Sequence, residues 1–202
     1  HMAGEAEAEM AVRAALAAKE EWMVLSWMER AAIMIKAAEL ISKKYRYMLN
    51  AATMLGQGKN VHQAEIDSAC EVIDYLRFNA HFASLIYGEQ PLSDNLSINR
   101  LEYRPLEGFI FTITPFNFTA IASNLNTSVV LMGNTTLWKP ATTSLLANYY
   151  LMKILKEAGL PDGVINFVPF RSKHVDVLLS HPDFAGLHFT GSYETLVKLW
   201  ME

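Results

Sequence analysis

From Gly108 onward, short apolar runs alternate with segments whose apolar residues recur every three or four positions. The first kind reads as buried strand and the second as helix. "GFIFTITP" predicts a strand, "FTAIASNLNTSVVLMG" a helix, "NTTLWKP" a strand and "TSLLANYYLMKILKEAG" a helix closed by a C-terminal glycine. "GVINFVPF", "SKHVDVLLSHP", "FAGLHFTGS" and "YETLVKLWME" continue the order as strand, helix, strand and the start of a helix. Repetition of this unit implies right-handed crossovers and a parallel sheet covered on both faces. The unbroken apolar strands are what burial on both faces requires.

Residues 1 to about 88 read as helices. "SWMERAAIMIKAAELISKKY" opens with Ser26 and Glu29 at capping-box spacing, and its Ile33, Ile35, Ala38, Leu40 and Ile41 lie close to a helical repeat. A break at "GQGKN" is followed by a long helical stretch in which Ile66, Ala69, Ile73 and Leu76 predict one buried face. "GEQPLSDNLS" is a turn-rich linker, and "SINRLEYRP" alternates polar and apolar residues as an exposed or edge strand does. The expected fold class is therefore α/β, with helices over residues 1–92, a strand segment over 93–107 and a parallel sheet over 108–202.

Composition narrows the partners. Half of the 202 residues are hydrophobic, 51%, and 19% are charged, which argues against disorder and allows a substantial core. The net charge is −4 and Lys and Arg are scattered, so no surface for nucleic acid or anionic lipid is indicated. A small molecule or another protein is the expected partner. Cys70 is the only cysteine, which excludes an internal disulfide framework and fits a reducing compartment. No apolar run reaches the roughly 18 residues of a membrane span, and "HMAGEAEAEM" lacks the regions of a signal peptide. The opening His-Met pair looks like a cloning remnant. Glycosylation-type tripeptides at Asn95, Asn117, Asn126 and Asn134 read as chance matches.

In open parallel sheets, ligands sit at the carboxyl ends of the strands, which here carry "TPFN", "WKP", "VPF" and "FTGS". Asn117 is either a capping amide at a helix start or a donor aimed at negative charge developing on an oxygen. Lys139 is either a solvated strand-end lysine or a ligand contact. In "FTGS", Ser192 is either a helix cap or part of a turn whose N–H groups face a phosphate. "GQGKN" matches a phosphate loop only superficially, since Thr53 and Asn60 replace the first glycine and the magnesium-binding hydroxyl, and a surface turn is expected. The histidines share no metal-ligand spacing. Cys70, beside Ala69 and Val72, is expected to be a packed thiol rather than a nucleophile.

The combination of the "TPFNF" turn, the "WKP" strand end, "EAGLPDGVINFVP" and "FTGS" resembles the cofactor domain of the aldehyde dehydrogenase superfamily. "GQGKNVHQAEID", "IDYLRFNAHFA" and "YRPLEGF" are similar to one branch of it, the 1-pyrroline-5-carboxylate dehydrogenases. The resemblance runs from about Ser26 to the end. It implies a Rossmann-like NAD-binding domain, NAD as cofactor and a small aldehyde, glutamate γ-semialdehyde, as substrate. It implies that Asn117 helps stabilise the oxyanion formed when a thiolate attacks the aldehyde. Thr114, Pro115 and Phe116 would line the cofactor cleft, chiefly through main-chain atoms, and Lys139 would hydrogen-bond the adenosine ribose. Gly191 and Ser192, continued by Tyr193, Glu194 and Thr195, would form the turn beneath the pyrophosphate and nicotinamide side. Glu71 would lie near the aldehyde tunnel.

By the same resemblance, 93–107 would belong to an oligomerisation flap. The chain is expected to stop before the catalytic glutamate and the nucleophilic cysteine, so that the catalytic domain is absent and the isolated chain inactive. A homo-oligomer is expected, in the mitochondrial matrix if the source is eukaryotic and in the cytoplasm if bacterial. The alternative reading is a non-catalytic nucleotide-binding or interaction module.

Overall fold

The computed structural model describes residues 2–171 and 174–201. The expected alternation is present: β1 (Phe109–Ile113), α6 (Thr119–Leu131), β2 (Thr136–Lys139), α7 (Leu145–Ala158), β3 (Ile165–Phe167), α8 (Val175–Leu179), β4 (Phe184–Phe189) and α9 (Tyr193–Met201). Ser172 and Lys173, the expected start of the helix before β4, lie outside the described residues. Upstream stand α1 (Glu5–Val24), α2 (Trp27–Leu40), α3 (Arg46–Gln57), the single turn α4 (Val61–Ala64) and α5 (Val72–Gly88). Residues Ile41–Tyr45 and Glu65–Glu71 wind as wider π-helical turns.

The four strands are parallel, in the order β3-β2-β1-β4. β1 is central and wholly buried, as its run of Phe, Ile and Thr requires. Gly108 feeds the chain into β1 at φ +91°, and a Cβ there would lie 1.9 Å from the Asp183 carbonyl, so only glycine fits. That close approach lets the Phe109 N–H donate to the Asp183 carbonyl at 2.9 Å, aligning β1 with β4.

Each face of the sheet is covered. On one, Val130 of α6 and Leu151 and Leu155 of α7 join Trp138, Ile165 and the apolar stripes of α2 and α5. On the other, the small residues Ala8, Ala11 and Ala15 let α1 approach Phe109, Phe111 and Leu137, with Val175 and Leu178 of α8 beside them. Trp22, at the far end of α1, donates its indole N–H to the Val130 carbonyl at 2.8 Å, tying α1 to the end of α6. Asn126, one of the glycosylation-type positions, is fully buried within α6.

The Ser26 capping box forms as expected, with Glu29 N–H donating to Ser26 Oγ at 3.3 Å and Ser26 N–H to Glu29 Oε2 at 2.8 Å. Three expectations are corrected. Ile35 is 43% exposed, because the buried stripe of α2 runs through Ala31, Met34, Ala37 and Ala38. Ile66 is 45% exposed while Ala69, Ile73 and Leu76 are buried. It sits in the π-helical turn, whose wider winding breaks the 3.6-residue phase that placed it on the buried face. "SINRLEYRP" forms no strand: its residues are mostly exposed, and among the described residues no neighbouring strand offers the ladder that alternation alone cannot supply.

Candidate functional site

Three strands end level with one another. Ile113 is in register with Lys139 on one side and Phe189 on the other. Beyond it, Thr114 N–H donates to the Lys139 carbonyl and Thr190 N–H to the Ile113 carbonyl, both at 3.2 Å. The turns "TPFN", "WKP" and "FTGS" therefore meet at one edge of the sheet. They do so at the point where the chain order reverses, β1 being followed outward by β2 on one side and by β4 on the other.

Thr114 and Pro115 are buried, and Thr114 Oγ1 accepts the Trp138 indole N–H at 2.9 Å. Phe116 projects, 63% exposed. Asn117 is exposed, and its side-chain amide makes no hydrogen bond among the described residues. This overturns its reading as a helix cap. The first N–H groups of α6 are satisfied by Asp67: Thr119 N–H donates to Asp67 Oδ2 at 3.0 Å and Ala120 N–H to Oδ1 at 2.8 Å. Phe118, at the N-cap position, supplies no side-chain cap. A carboxylate at a helix N-terminus is favoured over an amide by the helix dipole, so Asp67 is the stronger cap.

Lys59 completes the arrangement. Its Nζ donates to Asp67 Oδ2 at 2.7 Å and to the Asn117 carbonyl at 2.6 Å, and lies 4.2 Å from the centre of the Phe118 ring. "GQGKN" is a turn as expected: the left-handed Gly58 ends α3, and Asn60 caps α4 by accepting the Gln63 N–H at 2.9 Å. Its lysine, however, points inward rather than to solvent. Beneath it, Thr119 Oγ1 lies 2.8 Å from Thr53 Oγ1 and accepts the Gln57 side-chain amide at 2.8 Å. Sequence reading missed the roles of Lys59 and Asp67. The distance of 52 residues between Asp67 and Thr119 left no local signal.

Lys139 is half-buried, and burial without a counter-charge pushes its ammonium pKa down. Its Nζ has no partner among the described residues. Pro140 ends the strand behind it, as expected. Glu71 closes the π-helical turn that holds Asp67. Burial pushes its carboxyl up, the nearby Asp67 and Asp74 charges add to this, and Lys59 opposes it. Gly191, Ser192, Tyr193, Glu194 and Thr195 are all exposed where β4 gives way to α9. Ser192 acts as the helix cap, its Oγ accepting the Thr195 N–H at 3.3 Å and lying 2.9 Å from Thr195 Oγ1.

Cys70 is exposed, against its expectation as a packed thiol. It lies against the Arg46 guanidinium, Sγ to Nη2 3.8 Å, and Arg46 also binds Glu65. The wider turn swings Cys70 toward α3 while Asp67 faces α6. Among the described residues no group of three or more His, Cys, Asp and Glu could hold a metal ion, and no helix is long and apolar enough to cross a membrane.

The aldehyde dehydrogenase family profile matches residues 1–200. A probable delta-1-pyrroline-5-carboxylate dehydrogenase of Schizosaccharomyces pombe is 52% identical over 202 residues, covering 99% of this chain and 37% of that protein. The mitochondrial delta-1-pyrroline-5-carboxylate dehydrogenase of Bos taurus is 50% identical over 193 residues, covering 95% of this chain and 34% of that protein. The crystal structure of the corresponding enzyme from Mycobacterium tuberculosis, bound with NAD, superposes with a TM-score of 0.97 at 52% identity, covering 99% of this chain and 38% of that one. The chain thus spans little more than a third of the length of these relatives, and over that span it belongs to the aldehyde dehydrogenase family.

Proposed function

We propose that this chain is the cofactor-binding part of an NAD-dependent dehydrogenase that oxidises L-glutamate γ-semialdehyde, in equilibrium with 1-pyrroline-5-carboxylate, to L-glutamate, a step of proline breakdown. The observation that carries the reading is the pair of unused donors at one sheet edge: the Asn117 amide and the half-buried Lys139 ammonium, neither with a partner among the described residues. The likeness to a relative bound with NAD supports the choice of cofactor.

The residues fit NAD. Lys139 offers a desolvated donor suited to the ribose hydroxyls, and the turn at Gly191 and Ser192, with Tyr193, Glu194 and Thr195, lies two strands away, about 10 Å at the usual strand spacing. That separation suits a long dinucleotide lying across the strand ends, with Thr114, Pro115 and Phe116 between. NAD, when bound, supplies the hydride acceptor. Asn117 donates to the aldehyde oxygen as negative charge develops there. Glu71, its carboxyl pushed up chiefly by burial, is assigned to the substrate side.

Covalent catalysis also needs a thiolate and a general base. Cys70, on the N-terminal helices against Arg46, is not placed for this role, so the isolated chain is inactive. Purified chain incubated with pyrroline-5-carboxylate and NAD is expected to make no NADH, and clear NADH production would refute inactivity. Calorimetry is expected to show weak NAD binding, and its absence would favour an interaction module. We infer further that the chain forms homo-oligomers and that its source compartment is the mitochondrial matrix in a eukaryote or the cytoplasm in a bacterium. The mitochondrial names of eukaryotic relatives support the former.

A further inference from the structure

We propose that Lys59 and Asp67 are positioning residues for Asn117, an inference that rests on the oxyanion role proposed for that amide. The turn from Thr114 to Phe118 is held at both ends. Upstream, Thr114 is fixed by the Lys139 carbonyl and the Trp138 indole. Downstream, Asp67, 1% exposed, binds two successive N–H groups of α6. A cap alone would need nothing more. Yet Lys59 reaches past Asp67 to the Asn117 carbonyl, an atom outside the helix whose satisfaction adds nothing to capping.

The consequence is specific to one residue. Asn117 is pinned through its main-chain carbonyl, while its side-chain amide has no partner among the described residues. A donor that stabilises developing charge is effective when it is fixed beforehand, because no reorganisation is then needed as the charge appears. Lys59 supplies this fixation without using the amide itself. The Phe118 ring, its centre 4.2 Å from the ammonium, adds a cation–π contact that favours the same lysine position.

The test is backbone relaxation of the ¹⁵N-labelled chain. In the unsubstituted chain, Asn117, Thr119 and Ala120 should all show order parameters of about 0.85, the value of rigid backbone. Lys59→Met should lower Asn117 to about 0.6 or below while Thr119 and Ala120 stay rigid, and Lys59→Arg, which keeps a donor, should restore it. Lys59→Gln serves if the methionine variant does not fold. An Asn117 that stays rigid without the lysine would overturn the proposal, as would equal loosening of all three residues, which marks a merely structural ion pair. Since neither NAD nor aldehyde enters the measurement, its outcome does not depend on whether the Asn117 amide serves as an oxyanion donor, and failure of either reading is separable from failure of the other.

Discussion

Asp67 accepts the backbone N–H of Ala120 at 2.8 Å across 53 residues of sequence, so the first turn of α6 is capped by a carboxylate from a different helix. Replacing it removes two N–H partners and leaves Lys59, whose side chain is 15% exposed, without its counter-charge. Asp67→Ala is therefore expected to cost about 3–5 kcal/mol, the range for breaking a buried ion pair, read as a lower urea midpoint at unchanged m-value.

Asn117→Ala should leave stability within about 0.5 kcal/mol of the parent, as for a surface side chain with no special contact. An N-cap asparagine would instead cost about 1 kcal/mol. The same urea titration separates the two, and a loss of cap size would return Asn117 to the role of helix cap.

At Lys139 stability and binding should move in opposite directions. Burial lowers its pKa, so at neutral pH the folded state carries a desolvated charge, a penalty that disappears only as pH rises through that lowered value. Lys139→Met should raise the thermal midpoint near pH 7. It should also weaken NAD binding by about 1–3 kcal/mol, the worth of one or two hydrogen bonds, measured by calorimetry.

Glu71 should report on pH. Its folded pKa is raised, chiefly by burial, so its contribution is fully favourable below the unfolded pKa and is lost as pH rises through the folded value. Glu71→Gln should therefore stabilise the chain near pH 7 and leave it unchanged near pH 4. Melting curves at the two pH values check this, and equal effects at both would remove the electrostatic explanation.

Self-association is expected along β4. Its outer edge is unpaired among the described residues, and Leu187, Phe189, Leu196, Leu199 and Trp200 line an open apolar cleft between it and α9. α9 buries none of its residues. Such an edge invites a second strand. Light scattering should show dimers or larger species, and a stable monomer at high concentration would count against this.

What could be read from sequence was what neighbours along the chain decide. The strand and helix alternation, the Gly159 end of α7 in its left-handed conformation and the Ser26 capping box depend on residues a few positions apart, and all three are present. So is the meeting of Asn117, Lys139 and the Gly191 turn at one edge, because parallel strands place their carboxyl ends together. The misreadings share a different cause. A cap stayed among the two readings of Asn117 because the true cap, Asp67, is remote in sequence. Ile66 was placed by a period its own helix does not keep. Residues 97–105 alternate like a strand, but a strand also requires a partner.

The π-helical turn at Glu65–Glu71 makes the socket for α6 depend on chain length as well as on side chains. Excising one residue between Asp67 and α5, Cys70 for example, would tighten the turn toward ordinary helical winding and shift Asp67 relative to α6. The carboxylate would survive, but aimed away from Thr119 and Ala120. Single-residue deletions should therefore be tolerated far less in this turn than in the exposed stretch 89–105, although neither contains an oxyanion donor or a cofactor contact.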